Sequence, residues 1–185
     1  MHPDAQRWNR KYLAHDGPRR FQVEPFLERN ARHLGAPGRG LELACGTAAH
    51  SLWLAGAGWR MTALDVSVEG LRIAGAEASR RGAVLDRVVA DACAPPLDAG
   101  VRFDLVMVVR FLDRRLFPWL AGVLAPGGRL FYATFHTGRL QRHPGFNADY
   151  LLHPGELATA FPALSVLACE EDAEMSWLLA RRGDG

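Results

Sequence analysis

The sequence has little cysteine, and its cysteines are widely spaced. Cys45, Cys93 and Cys169 are the only three among 185 residues, and no two of them form a C-x-x-C pair. Zinc sites and disulfide frameworks both need several cysteines at suitable spacings. The cysteine content therefore indicates neither kind of site, and we expect the three thiols to be reduced.

Long apolar runs and an excess of one charge are also missing. No apolar stretch is long enough to cross a bilayer, and residues 1–20 are charged and polar, unlike a signal peptide. The formal net charge is only +2, so the total charge gives no electrostatic case for a nucleic-acid partner. We expect a cytoplasmic protein, without a membrane or a nucleic acid as its partner.

The chain does contain a regular alternation of strand and helix patterns. Residues 4–34 are predicted to be helical, with a second amphipathic helix at 21–33. Predicted strands follow at 39–44, 59–64, 84–90, 103–109 and 129–135, separated by predicted helices at 48–57, 67–81 and 113–124. Such alternation is typical of a parallel sheet with helices on both faces.

Two closely spaced strand patterns, at 164–169 and 174–180, end the chain. They must pair as an antiparallel hairpin, because a parallel pair needs a long crossover. The expected fold is α/β: a Rossmann-like three-layer α/β/α sandwich whose mostly parallel, seven-stranded sheet ends in an antiparallel hairpin. We expect residues 1–185 to form one domain, with a helical N-terminal lid at 1–35 and a Rossmann-like core at 36–185.

Small and acidic residues follow three predicted strands, where ligands bind in open α/β sheets. Gly46 lies in the turn after the first strand and lacks the Cβ that would keep a ligand from the backbone. Asp65, about 20 residues downstream, has the spacing of a carboxylate that binds both ribose hydroxyls. Asp91 ends the third strand, where its carboxylate can accept from the amine of adenine while Ala92 donates its backbone N–H to the ring.

Each of these signals also has a plain structural interpretation. Gly46 fits an ordinary tight turn, Asp65 fits an N-cap near Ser67, and Asp91 fits a turn before Pro95. Three such residues at neighbouring strand ends are more specific than any one of them. Together they favour a site for an adenosyl group.

With these residues, the sequence over about 34–180 resembles the class I S-adenosylmethionine (SAM)-dependent methyltransferase family. Residues 42–47 resemble its first motif, Asp65 and Asp91 its ribose and adenine acids, 103–106 its fourth strand and 124–128 its helix–strand turn. A closer similarity is to the small bacterial branch grouped with tellurite-resistance and thiopurine methyltransferases. The residues that carry it are Trp8, Tyr12, 43–46, 58–59, 109–114 and 150–157.

The resemblance implies that SAM is the cofactor and S-adenosylhomocysteine (SAH) the product. Trp8 and Tyr12 are expected to close over the cofactor, since aromatic faces attract cations, or else to pack the first helix on the sheet. Arg20 is a candidate for the cofactor carboxylate. The full set of candidate cofactor-binding residues is Glu42, Ala44, Cys45, Gly46, Asp65, Val66, Asp91, Ala92, Val109, Arg110, Trp8, Tyr12 and Arg20.

The sequence also departs from the family pattern. Ala48 stands where a second glycine is expected, so its methyl group is expected to weaken cofactor binding without excluding it. The fourth strand is followed by neither an Asn-Pro-Pro-aromatic nor an Asp-Pro-Pro-aromatic sequence, which argues against amino-methyltransferases of nucleic-acid bases. A Pro-Cys pair is missing there too, which argues against a pyrimidine methylase with a cysteine nucleophile.

The acceptor side has weaker signals. Arg110 and His136 are the candidate catalytic residues, and Arg139 and His143, on the loop after the fifth strand, are the candidate substrate residues. A histidine that titrates near neutral pH can take a proton from the acceptor. A dedicated base is optional, because correct positioning alone lowers a barrier by about 7–11 kcal/mol in favourable cases. We expect no metal, since His136, His143 and His153 fit no common ligand spacing.

The predicted function is methyl transfer from SAM by in-line displacement to a small-molecule acceptor: a thiol, a metalloid oxyanion or a small metabolite. One alternative is a non-catalytic SAM-binding sensor or scaffold. Another is a nicotinamide-dependent oxidoreductase, which needs G-x-G-x-x-G where this chain offers only Gly46, and which has no obvious Tyr-x-x-x-Lys pair here. We expect a monomer or a homodimer.

Overall fold

The computed structural model describes residues 3–14 and 20–184, and its seven strands form one sheet. The strands are β1 (Arg39–Leu43), β2 (Arg60–Asp65), β3 (Leu85–Val89), β4 (Phe103–Val109), β5 (Leu124–Phe135), β6 (Leu164–Glu171) and β7 (Met175–Arg182). Their spatial order is β3-β2-β1-β4-β5-β7-β6. The first five strands pair in parallel, and β7 is antiparallel to both β5 and β6. The predicted mostly parallel sheet with a terminal hairpin is confirmed.

Helices cover both faces of this sheet. They are α1 (Pro3–Leu13), α2 (Pro25–Arg29), α3 (Ala49–Gly56), α4 (Val68–Arg81), α5 (Phe117–Gly122) and α6 (Glu156–Thr159). Successive residues of β4 point to opposite faces: Val106 packs in the core with α5 and α6, and Met107 packs in the core with α2 and α3. This two-sided burial explains the continuous apolar run of β4 and gives the predicted three layers.

The N-terminal region is less helical than predicted. The expected helix at 21–33 is wrong in length, because α2 spans only Pro25–Arg29 and is followed by a 3-10 turn at Ala31–His33. Glu24 has an extended backbone, with φ −63° and ψ 124°. A residue before proline is driven out of the helical region, so Pro25 fixes the start of α2.

The segment between β4 and β5 also differs in detail. The helix expected at 113–124 is divided into a 3-10 turn at Arg114–Leu116 and the short α5, and β5 begins already at Leu124. Gly128 permits this early start, because a Cβ there would lie 2.9 Å from the carbonyl oxygens of Ala125 and Phe103. Only a residue without a side chain lets these strands approach so closely.

Both ends of α4 follow the sequence-based expectation. The Ser67 hydroxyl oxygen accepts a hydrogen bond from the Gly70 N–H at 3.1 Å, and Gly82 ends the helix with a left-handed φ of 65°. The cap fixes the chain directly after β2. It therefore also sets the position of Asp65, the last residue of that strand. Within the described residues, no helix is long and apolar enough to cross a membrane.

The interior strand β5 provides a test of this core. Phe131 is fully buried, pairs with Met107 and Leu179 across the strands and stacks on Phe26 with ring centroids 6.2 Å apart. We expect Phe131→Ala to lower the free energy of unfolding in urea by about 3–5 kcal/mol, because it leaves a cavity. The control Val84→Ala, at a residue that is 83% exposed, should change it by less than about 0.5 kcal/mol. Equal effects of the two substitutions would contradict the assigned core.

Candidate cofactor site

The turn between β1 and α3 is built from left-handed backbone. Ala44, Gly46 and Ala48 have φ values of 50°, 58° and 55°. This conformation costs an L-residue about 1–2 kcal/mol, and only glycine adopts it freely. Every second residue of the turn thus has a positive φ, and the chain turns sharply from the end of β1 into α3.

The methyl group of Ala48 does not lie on the ligand side of this turn. Ala48 is fully buried and packs with Ala63, Leu71 and Ala74 between β2 and α4. The expectation that this methyl group weakens cofactor binding therefore finds no support in the geometry. Its cost is instead the backbone strain of a left-handed alanine.

Asp65 connects the two loops that follow β1 and β2. Its Oδ2 accepts a hydrogen bond from the Gly46 N–H, and its Oδ1 accepts one from the Ser67 N–H, both at 2.7 Å. Burial raises the pKa of Asp65, an effect that these two N–H donors partly offset. A carboxylate has about four acceptor positions, so Asp65 keeps capacity for further donors, such as the two hydroxyls of a ribose.

Glu42 faces α3 rather than the ligand side of the turn. Its carboxylate accepts hydrogen bonds from the Ser51 N–H at 3.0 Å and the Ser51 hydroxyl at 2.5 Å, and it contacts His50 Nδ1 at 2.9 Å. The side chain is almost wholly buried. This geometry supports a structural role, in which Glu42 holds the start of α3, in place of the predicted direct contact with the cofactor.

Cys45 lies inside the same turn and is partly buried. Burial, followed by the nearby negative charges of Glu42 and Asp65, raises the pKa of this thiol well above its ordinary value. The thiolate is the nucleophilic form of cysteine. Cys45 therefore shapes the turn, as its backbone N–H does by donating to the Leu64 carbonyl at 3.1 Å.

Asp91 and Ala92 follow the end of β3, beside the loop that carries Asp65. The Asp91 Oδ1 accepts from the Cys93 N–H at 2.8 Å, and the Cys93 thiol contacts Asp113 Oδ2 at 3.1 Å. Burial and the two carboxylates raise the pKa of Cys93 to about 12, so this thiol is also protonated. Cys93 thus connects the loops after β3 and β4, on the side where the adenine was predicted.

Helix α1 lies across the loops after β1 and β2. A Cβ at Gly46 would be 2.5 Å from the Tyr12 hydroxyl, so the ring of Tyr12 reaches the turn because residue 46 is glycine. Asn9 Oδ1 accepts hydrogen bonds from the Ser67 hydroxyl at 2.6 Å and the Glu69 N–H at 3.2 Å. Trp8 stacks on Tyr12 with ring centroids 6.0 Å apart. The N-terminal helix thus packs directly on the loops that follow β1 and β2.

Arg110 follows β4 in a left-handed conformation with a φ of 57°. Its N–H donates to the Ala133 carbonyl at 2.7 Å, and its Nη2 donates to Glu24 Oε1 at 2.7 Å. The second oxygen of Glu24 accepts from Trp177 Nε1 at 3.3 Å. The half-buried Val109 precedes Arg110 at the end of the strand.

His50 joins this group to the first turn. Its Nε2 accepts a hydrogen bond from the Glu24 N–H at 3.2 Å, so in this geometry the ring proton lies on Nδ1 and is donated to Glu42. Four of these contacting residues were not predicted from the sequence: Glu24, His50, Asn9 and Trp177. The only local signals were a Glu-Pro pair ahead of α2 and a histidine in the first turn of α3, and neither indicates its partner.

The other predicted acceptor-side residues, His136, Arg139 and His143, follow β5. His136 is buried, with Nδ1 accepting from the Gly138 N–H and Nε2 next to the Asp172 carbonyl at 3.0 Å, so both ring nitrogens are engaged. The guanidinium carbon of Arg139 lies 3.9 Å from the Phe135 ring centroid, and Arg139 also pairs with Glu174. His143 is exposed. This geometry favours a structural role for His136 and Arg139.

Val66 and Arg20 are the remaining predicted cofactor-binding residues. Val66 is half-buried between Asp65 and Ser67, and Arg20 is exposed on the segment that leads to α2. The described part of the chain contains no group of three or more histidines, cysteines, aspartates or glutamates that could hold a metal ion.

Comparison with known proteins agrees with this fold. Residues 41–128, which run from within β1 to the first residues of β5 and include the Gly46, Asp65 and Asp91 loops, match the sequence model of a family described as a methyltransferase domain. None of the curated protein sequences matches the chain.

Solved structures of similar fold extend over nearly the whole chain. TehB from Haemophilus influenzae has a TM-score of 0.74 at 14% identity, with 96% of this chain and 66% of that chain covered. The N-methyltransferase NodS from Bradyrhizobium japonicum, in complex with SAH, has a TM-score of 0.69 at 22% identity, with 98% and 99% covered. A protein studied for the conversion of a disulfide bond into a thioacetal group during echinomycin biosynthesis has a TM-score of 0.76 at 18% identity, with 98% and 92% covered. At these identities the likeness shows a shared fold.

The contact between Gly46 and Tyr12 can be tested by a double-mutant cycle. Gly46→Ala should lower the free energy of unfolding by about 1–2 kcal/mol of backbone strain, with a further steric loss because its Cβ meets the Tyr12 hydroxyl. In a Tyr12→Phe background the nearest ring atom, Cζ, is 3.6 Å away, so only the strain should remain. If urea denaturation shows strictly additive losses, Tyr12 does not pack on the turn.

Proposed function

We propose that this chain, which has the domain and the fold of a SAM-dependent methyltransferase, transfers the methyl group of SAM to a small-molecule acceptor by in-line displacement. The observation that carries the proposal is the Asp65 carboxylate, which two backbone N–H groups hold at the carboxyl end of β2, next to Gly46. Ligands in open α/β sheets bind beyond these strand ends.

The residues at this edge fit an adenosyl group. Asp65 has acceptor capacity for both ribose hydroxyls, and Gly46 provides a surface without a side chain beside it. Asp91 and Ala92 would hold the adenine, and Tyr12 of the lid would cover the turn. SAM supplies a methyl group that is already activated by its sulfonium, so the protein mainly has to position the acceptor and exclude water.

The acceptor side requires no dedicated base in this proposal. His136 has both ring nitrogens engaged with the backbone, and the thiols of Cys45 and Cys93 are held protonated by their raised pKa values. A thiol, a metalloid oxyanion or a small metabolite remain the acceptor classes. The TehB-like fold supports, within that range, the branch grouped with tellurite-resistance and thiopurine methyltransferases. We also propose that the chain forms one domain, with residues 1–35 as a lid. The protein is proposed to be a monomer or a homodimer and to be located in the cytoplasm.

Cofactor binding should depend on the ionisation of Asp65. Ribose hydroxyls donate to the carboxylate, so affinity for SAH is present above the raised pKa of Asp65 and is lost as the pH falls through it. Calorimetry at successively lower pH, starting from pH 8 and limited to the range in which the protein stays folded, should show this loss. Asp65→Asn should bind about 10- to 100-fold more weakly at pH 8, the loss expected for hydrogen bonds to a charged group. The variant should also show a flatter pH dependence, and wild-type affinity in the variant would refute the assignment.

Turnover separates an enzyme from a SAM-binding sensor. We expect SAH to form when SAM is incubated with the protein and an acceptor from a panel of small thiols, selenite and tellurite. The rate should fall at least tenfold in Asp65→Asn, because less cofactor is bound. A matched control, Asp86→Asn on the exposed edge of β3, should retain the wild-type rate. Tight SAM binding without turnover on any acceptor would favour the sensor.

A further inference from the structure

Arg110 holds a strained backbone conformation just beyond the carboxyl end of β4. It directly follows β4, the neighbour of β1, so its backbone lies along the same edge as Gly46. Among the described residues, Ala44, Ala48 and Arg110 are the only non-glycine residues with a positive φ. Such strain costs about 1–3 kcal/mol, persists only where the surroundings enforce it and concentrates at functional sites.

The guanidinium of Arg110 is held by Glu24 through one terminal nitrogen, and most of the Arg110 side chain is exposed to solvent. Its Nη2 donates to Glu24, whose side chain is 7% exposed, whereas 60% of the Arg110 side chain is exposed. Glu24 is itself fixed by the Trp177 indole and, through its backbone N–H, by His50. A guanidinium has five N–H donors in one plane, and the contact with Glu24 engages a single terminal nitrogen.

A purely structural ion pair explains these features less well. Partly exposed ion pairs contribute only about 0–1 kcal/mol, which does not offset the strain of a left-handed arginine. Leaving a buried carboxylate without a cationic partner is costly. A neutral glutamine in place of Glu24 would avoid that cost, because it could still accept from the Trp177 indole and would need no arginine. A strained backbone is found mainly at functional sites, and here it carries a guanidinium that is held by Glu24 and is largely exposed.

We propose that Arg110 binds an anionic group of the methyl acceptor, either a carboxylate or an oxyanion. The planar fork of arginine matches two oxygens of such a group at once. The anion would be held at the edge of β4, near the end of β1, where the cofactor turn begins. This inference rests on the proposed function, because it places the acceptor beside the same cofactor, and it narrows the acceptor to molecules that carry such an anion.

The experiment measures anion binding to the protein saturated with SAH. Acetate, selenite and the neutral acetamide are titrated at constant ionic strength, and the indole N–H signal of Trp177 is followed by NMR, assigned with Trp177→Phe. We expect saturable shifts with acetate or selenite at millimolar concentration and none with acetamide. If only acetate shifts the signal, the anionic group of the acceptor is a carboxylate. If only selenite does, it is an oxyanion. If both do, the site recognises the paired oxygens that the two anions share.

Variants test whether Arg110 is responsible. Arg110→Gln should weaken anion binding at least tenfold, and Arg110→Lys, which keeps the charge but loses the fork, should weaken it less. The control Arg102→Gln, at an exposed arginine that contacts the Ala99 carbonyl, should bind like wild type. If Arg110→Gln does not fold, Arg110→Lys decides the question: an affinity for the anions equal to that of wild type overturns the proposal.

The two proposals fail in different ways. If SAH binds to the wild-type protein but neither anion shifts the Trp177 signal, Arg110 is not an anion site and the proposed methyltransferase function stands. If SAH itself does not bind, the proposed function fails.

Discussion

The pairing of the Asp65 carboxylate with the Gly46 and Ser67 N–H groups is the interaction on which the candidate site depends. It joins the turn after β1 to the start of α4, so two loops that are separate in sequence hold one geometry. The same arrangement buries the carboxylate, and burial raises the pKa of Asp65 because it disfavours the charged form. A ligand that brings further donors to this carboxylate would restore part of the solvation that burial removed.

The N-terminal region is attached to this centre from two sides. Asn9 of α1 accepts from Ser67, the residue whose N–H holds Asp65. The segment before α2 is attached through Glu24, whose backbone N–H donates to His50 and whose carboxylate binds Arg110. Hydrogen bonds thus connect the predicted lid with β2 on one side and β4 on the other. Changes in the lid are therefore expected to reach both the cofactor side and the acceptor side.

Local sequence patterns were sufficient to predict the architecture. The strand–helix alternation, the apolar run of β4 and the paired strands at the end of the chain predicted a mostly parallel sheet with a hairpin, as observed. The boundaries were less accurate near Pro25 and around Gly128, where a single residue decides the backbone conformation. The loop acids followed from the same rule, because parallel strands end at one edge of the sheet.

Side-chain partners required the folded chain. His136 fits a general base by residue type, yet its neighbours turn it into a bridge between the end of β5 and Asp172. The position of Ala48 in the sequence suggested a residue near a ligand, yet its methyl group packs in the core against α4. Glu24 and Arg110 lie 86 positions apart and meet in one ion pair.

By itself, the sequence determined the order of the strands along the chain, the acids at their ends and the class of fold, because these depend on periodicity and short-range turn chemistry. Only the tertiary structure decided which polar groups are satisfied internally and which stay open to a ligand. The physical reason is that hydrogen bonds and burial depend on residues far apart in the chain, and no local pattern encodes which of them will meet.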